Sequence, residues 1–97
     1  MAATVYVVAR YLATPGKEEE VKAILTALIA PSRREVGCYQ YDLLLNSRDP
    51  RDFCFVERWD HDKALDQHTE TSHLKTAIAK VSGLLEVPPD IRRYSIL

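Results

Sequence analysis

Between Thr4 and Leu12 the chain reads TVYVVARYL, which is largely apolar on both sides when laid out as a strand. Val5, Val7, Ala9 and Tyr11 share one face, and Tyr6, Val8, Arg10 and Leu12 share the other. A strand with one wet face alternates apolar with polar residues, so this pattern predicts a central strand in a sheet covered on both sides. Any fold proposed for the chain must therefore supply two coverings.

The residues that follow supply one of them. ATPG at 13–16 is a turn, with Thr14 or Gly16 as a candidate cap and Pro15 favouring helix entry. Glu18, Glu19 and Glu20 then fall in a first helical turn, where the dipole favours acids. Val21, Ile24, Leu25 and Leu28 recur at helical spacing. Pro31 is expected to kink or end this helix, with Arg33, Arg34 and Glu35 adding a turn before Gly37 stops it.

Cys38 to Asn46 reads as a second strand, in which Tyr39, Tyr41, Leu43 and Leu45 alternate with Cys38, Gln40, Asp42 and Leu44. The turn SRDPRD leads to a third strand, Phe53 to Trp59, and its shortness predicts a hairpin. Phe53, Phe55, Glu57 and Trp59 share one face of it. Asp60 is the expected cap of a short helix carrying Ala64, Leu65 and His68. Thr71 or Ser72 should cap another, striped by Leu74, Ala77, Ile78 and Val81 and ended by Gly83. After Pro88 and Pro89, Ile91 to Leu97 is a last strand, whose register leaves open whether Arg92 or Arg93 faces inward.

The order β-α-β-β-α-β predicts an α+β, ferredoxin-like domain spanning residues 1–97, with a four-stranded antiparallel sheet and its helices on one face. The other face would be bare yet apolar. The expected covering is a second copy of the chain, a homodimer formed through the open sheet face.

Bulk properties exclude several classes. The net charge is −1 with no basic cluster, which speaks against nucleic acid as a partner. The apolar run Val5 to Ala9 falls far short of the roughly 20 residues that span a bilayer, and it has neither the basic start nor the cleavage site of a signal peptide. Cys38 and Cys54, without export signals, read as reduced thiols of a cytoplasmic protein, a disulfide being the minor alternative. Gly16, Gly37 and Gly83 are the only glycines, so no glycine-rich nucleotide or flavin loop can form and no such cofactor is expected.

Chemistry concentrates in FCFVERWDHDKALDQHTETSH, residues 53–73. Trp59, the sole tryptophan, reads either as a core residue at a strand end or as a pocket wall. Glu57 shares its face, and a structural ion pair with Arg10 or Arg93 is its first expected role, a base of raised pKa its second. His68 closes the short helix and could act as a base near neutral pH, or be spent on backbone hydrogen bonds. His61 and His73 read as surface or capping residues. The histidines are spaced by seven and five, not by the three or four that align ligands on one helix face, so no metal is expected.

The ordered set Glu35-x-Gly37-Cys38-x-x-Tyr41-Asp42, Phe55-x-Glu57-x-Trp59 and Ala64-Leu65-x-x-His68 resembles the antibiotic biosynthesis monooxygenase family, and within it the small single-domain quinol monooxygenases. The resemblance implies a ferredoxin-like fold in a dimeric α/β-barrel assembly. It also implies oxygenation of a quinol or other electron-rich aromatic by O₂ without metal, flavin or haem. On that reading Trp59 and Tyr41 shape a closed apolar pocket between sheet and helices, His68 takes or holds the substrate proton, and Glu57 or Arg93 orients substrate groups. Val36 stands where the family usually has proline in the turn. Haem-degrading relatives carry an asparagine and a haem-ligating histidine where this chain has Ala9 and Ile78, so haem degradation is not implied. Two alternatives stand beside the oxygenase: a non-catalytic dimeric ligand-binding domain, and an isomerase of a small metabolite.

Overall fold

The computed structural model describes residues 3–97. The elements run β1 (Val5–Leu12), α1 (Glu18–Thr26), α2 (Ile29–Arg33), β2 (Cys38–Leu45), β3 (Asp52–Trp59), α3 (Asp62–Thr69), α4 (Ser72–Val81) and β4 (Asp90–Tyr94). The four strands form one antiparallel sheet in the order β2-β3-β1-β4. This is the ferredoxin-like arrangement, and β1 is central in it, as its two apolar faces require.

Cross-strand partners share a face, so the register sorts the sheet into two sides. Val7 pairs with Glu57, Ala9 with Phe55 and Tyr11 with Phe53, all of them buried beneath the helices. Val21, Leu25 and Leu28 from the first helical pair, and Ala64, Leu65, Ala77 and Val81 from the second, close the same core. The opposite side carries Tyr6, Val8, Leu44, Val56 and Tyr94 and has no helix over it. Cys38 lies opposite Trp59 and Cys54 opposite Arg10, which puts the two free thiols on different sides of the sheet.

Several local expectations are corrected. Neither Thr14 nor Gly16 caps α1; Lys17 holds that position, and the Glu18 carboxylate reaches back to accept from the Gly16 N–H at 2.7 Å. The first helix breaks at Ala27–Leu28, ahead of Pro31. Proline has no N–H for the carbonyl four residues back, so it sits in the first turn of a new helix, where that donor is not needed. Asp60 does not cap α3; His61 does so by backbone position, while Asp60 accepts from the Tyr39 hydroxyl at 2.8 Å. Thr71 caps α4 as expected, accepting from Leu74 N–H at 3.4 Å.

The register of β2 shifts between Cys38 and Gln40. A bulge adds one residue to the strand and reverses the alternation before it. Cys38 and Tyr41 consequently lie on the helix side together, and Tyr39, expected beside Tyr41, is turned out to solvent. In β4, Arg93 pairs with Val7 and so belongs to the helix side, while Arg92 pairs with Val8 on the open side.

Candidate active site

Strand β3 delivers Glu57 and Trp59 to the same side two residues apart, and the spacing closes a local bond. The Trp59 indole N–H donates to Glu57 Oε1 at 2.8 Å, with the tryptophan fully buried and the glutamate 4% exposed. The expected ion pair is absent: Arg10 bonds Asp52 at 2.8 Å, and Arg93 spans Asp62 and Asp66 on α3 at 2.9 and 2.8 Å. A carboxyl out of water without a cation favours its neutral form. Burial therefore raises Glu57 to about 7, the indole bond opposing and the charge of Glu35 adding to the rise.

His68 sits in the last turn of α3 and is 3% exposed. Its ring lies 4.6 Å from the Trp59 ring at a 36° tilt and meets Tyr41 nearly edge-on at 5.4 Å. It is not spent on the backbone. Nδ1 contacts Glu35 Oε2 at 2.6 Å, and burial lowers the pKa despite that carboxylate, which favours the neutral ring. Nε2 makes no hydrogen bond to a described residue. It is also not fully enclosed, since Ser32 Oγ alone among the described residues is a sealed side-chain polar atom without a partner.

Glu35 entered the sequence reading only as a helix-end residue of the family pattern, with no role in the site, and its place depends on Gly37. That glycine has φ +88°, and a Cβ built on it would stand 2.7 Å from Ala64 Cβ. Only a bare backbone lets the turn after α2 press onto α3, one helical turn ahead of His68. The Gly37 carbonyl fixes this approach by accepting from the Asp60 N–H at 2.8 Å. Arg33 ties α2 to β2 through the Tyr41 carbonyl at 3.1 Å and Asp42 at 3.0 Å.

The same Glu35 oxygen receives a second imidazole. His73 Nε2 lies 2.7 Å from Oε2, so His73 is a member of this cluster and not the surface or capping residue expected. Thr71 sets the corner that brings the two histidines together, donating to the His68 carbonyl at 2.8 Å while capping α4. Spacing along one helix had argued against a shared ligand set, but two helices and a loop converge here. The three donor atoms lie within 4.8 Å of one another, and this is where a divalent cation could be held. A bound first-row cation keeps nitrogen and oxygen ligands at about 2.0–2.2 Å from itself and hence roughly 3 Å or more apart. The contacts of 2.6 and 2.7 Å are the length of direct hydrogen bonds between imidazole and carboxylate.

Rings continue the site away from His68. Tyr41 meets Phe55 at 4.7 Å, and Phe55 meets Tyr11 edge-on at 6.1 Å. Burial raises both tyrosine hydroxyls, Tyr11 to about 12, which keeps them neutral. Beyond Tyr11 an apolar cavity of about 430 Å³ opens between sheet and α4, lined also by Thr69, Leu74, Ile78 and Ile91. A second, of about 420 Å³, lies between α1 and α4 with His73 on its wall. His68 and Trp59, expected to wall a closed pocket together, lie against each other at 4.6 Å, and neither lines either of these two cavities. Of the residues expected to act together, His68, Trp59, Tyr41 and Glu57 are adjacent; Arg93 is held at the surface by its two aspartates.

A family model described as antibiotic biosynthesis monooxygenase matches residues 4–80. The Bacillus subtilis protein named "Putative monooxygenase YcnE" is 35% identical over 82 residues, 84% of this chain and 86% of that one. "Putative monooxygenase Rv0793" of Mycobacterium tuberculosis is 36% identical over 91% of this chain and 86% of its own length. Its solved structure superposes with a TM-score of 0.93 over 98% of this chain and 96% of that one. PA3566 from Pseudomonas aeruginosa gives a TM-score of 0.93 at 35% identity, over 100% of this chain and 97% of that one.

Proposed function

The chain belongs to the antibiotic biosynthesis monooxygenase family, and on that footing we propose that it oxygenates a quinol or similar electron-rich aromatic with O₂ and without a cofactor. The observation that carries this reading is the placement of His68: a buried imidazole against Trp59, with Nδ1 held by Glu35 and Nε2 without a partner among the described residues. A base near neutral pH is what such a reaction asks of a protein. Proton removal from a phenolic hydroxyl gives an anion electron-rich enough to reduce O₂ itself. Recombination of the resulting radicals forms a carbon–oxygen bond and a peroxide. Cleavage of its O–O bond, with loss of water, leaves the hydroxyquinone, so that quinol and O₂ balance hydroxyquinone and H₂O.

Each neighbour has a place in this scheme. Trp59 and Tyr41 offer aromatic faces, and Glu57, near neutrality, can hold or release a proton beside the indole. The cavity ending at Tyr11 has the volume and apolar lining to receive an aromatic ring, and the buried rings of Phe55 and Tyr41 stand between it and His68. The open face, with Val8, Leu44 and Tyr94 at 38, 50 and 48% exposure, supports pairing of two copies through it.

The test is oxygen uptake by the metal-free protein against a panel of quinols and polyphenols, beside His68→Ala. Uptake above autoxidation that falls about tenfold or more in the variant is the expected result. Uptake unaffected by the substitution removes His68 from the chemistry. No uptake across the panel leaves a dimeric ligand-binding or isomerase domain, a reading favoured by the close stacking of Trp59 on His68.

A further inference from the structure

One carboxylate oxygen lies between two imidazoles, at 2.6 Å from His68 Nδ1 and 2.7 Å from His73 Nε2. An ionised carboxylate only accepts, so a nitrogen this close to it carries a proton. A neutral imidazole has a single N–H, and for His68 that proton is then on Nδ1. Nε2 is left with its lone pair. In water the neutral histidine side chain prefers the opposite tautomer, with the proton on Nε2, and in that form Nε2 has no lone pair with which to accept.

We infer that Glu35 is a positioning residue that locks His68 in the Nδ1–H tautomer and so presents Nε2 as the proton acceptor, with His73 clamping the carboxylate in place. The inference deepens the assignment of His68 as base and rests on it for its functional meaning. The geometry is graded in depth: the side chains of His68, Glu35 and His73 are 4, 13 and 25% exposed. A single N–H donor would leave the carboxylate free to rotate about its last torsion. The second donor, from the start of α4, takes the same oxygen and removes that freedom. When Nε2 accepts a proton, the resulting imidazolium faces a carboxylate already in place, and little needs to rearrange to stabilise it.

The tautomer is read directly by two-bond nitrogen–proton correlation spectra of the ¹⁵N-labelled full chain, without substrate, with His68→Asn used for assignment. The expected wild-type pattern is Nδ1 protonated and Nε2 bare. Glu35→Leu removes the acceptor and is expected to return His68 to the Nε2–H form, with oxygen uptake falling as in His68→Ala. Glu35→Gln keeps an acceptor oxygen and is expected to retain the tautomer with partial uptake. His73→Ala is expected to retain the tautomer while the Nδ1 proton exchanges faster with solvent. A wild-type spectrum showing Nε2–H overturns the inference, whether or not any variant folds. So does an Nδ1–H pattern that survives Glu35→Leu. The tautomer outcome does not depend on turnover, so an Nδ1–H spectrum without oxygen uptake overturns the oxygenase and leaves the lock standing.

Discussion

Replacing Glu57 by Gln keeps the size of the side chain and an oxygen for the Trp59 N–H, and removes only the capacity to ionise. Burial raises this carboxyl from 4.5 to about 7 in the folded protein, while the unfolded chain titrates at the lower value. Between those pH values the folded state retains a proton that the unfolded state has released, so stability falls as pH rises across the interval. Below it both states are protonated and the penalty vanishes; above it the penalty is complete. At about 1.4 kcal/mol per pH unit the interval corresponds to about 3 kcal/mol. Glutamine carries no such penalty. The variant should exceed wild type by less than about 1 kcal/mol near pH 5 and by about 3 kcal/mol near pH 8. The assay is urea denaturation followed by far-ultraviolet circular dichroism, at one protein concentration so that any association contributes equally. A difference that is the same at both pH values, or a variant less stable throughout, would refute the argument that Glu57 is buried as an unpaired acid.

Gly37→Ala meets both a φ of +88° and a Cβ contact of 2.7 Å with Ala64, and should lose about 2–4 kcal/mol in the same denaturation assay. Arg93→Ala breaks two exposed ion pairs, so its stability should change by less than about 1 kcal/mol, and oxygen uptake should be unchanged if Arg93 has no part in the site. Val8→Lys sets a charge in the middle of the open face; sedimentation equilibrium should then report a monomer with unaltered circular dichroism, and a dimer that persists places the interface elsewhere.

The parts of the fold visible in the sequence were those written in short-range periodicity. Two apolar faces on Val5–Leu12 placed β1 in the middle of the sheet, and helical spacing placed Val21, Leu25 and Leu28 in the core. The Glu57–Trp59 bond also follows from alternation, since two residues along a strand return to the same side. What alternation could not show was its own interruption: the bulge after Cys38 leaves no sign in CYQY, yet it decides which way Tyr39 points. The role of Glu35 was hidden for a different reason. Its partners lie 33 and 38 residues away, and a glutamate between arginines and a glycine looks like an ordinary solvated turn. The signal that could have found it is the tight approach Gly37 permits, which carries meaning only once α3 is known to lie against it. Arg93 shows the limit of reasoning from charge: Glu57 needed a cation by that logic, but Asp62 and Asp66 took Arg93 and Asp52 took Arg10.

Trp59 is the only tryptophan in the chain, so all indole emission from this protein originates in stacking contact with His68 and in hydrogen-bond contact with Glu57. A protonated imidazole quenches an excited indole by electron transfer, and a neutral one does so far less. The emission thus reports the charge state of the site from within it. A ligand that moves His68 or changes its charge alters that emission. Occupancy can be followed in the native protein, with no dye attached and no residue exchanged.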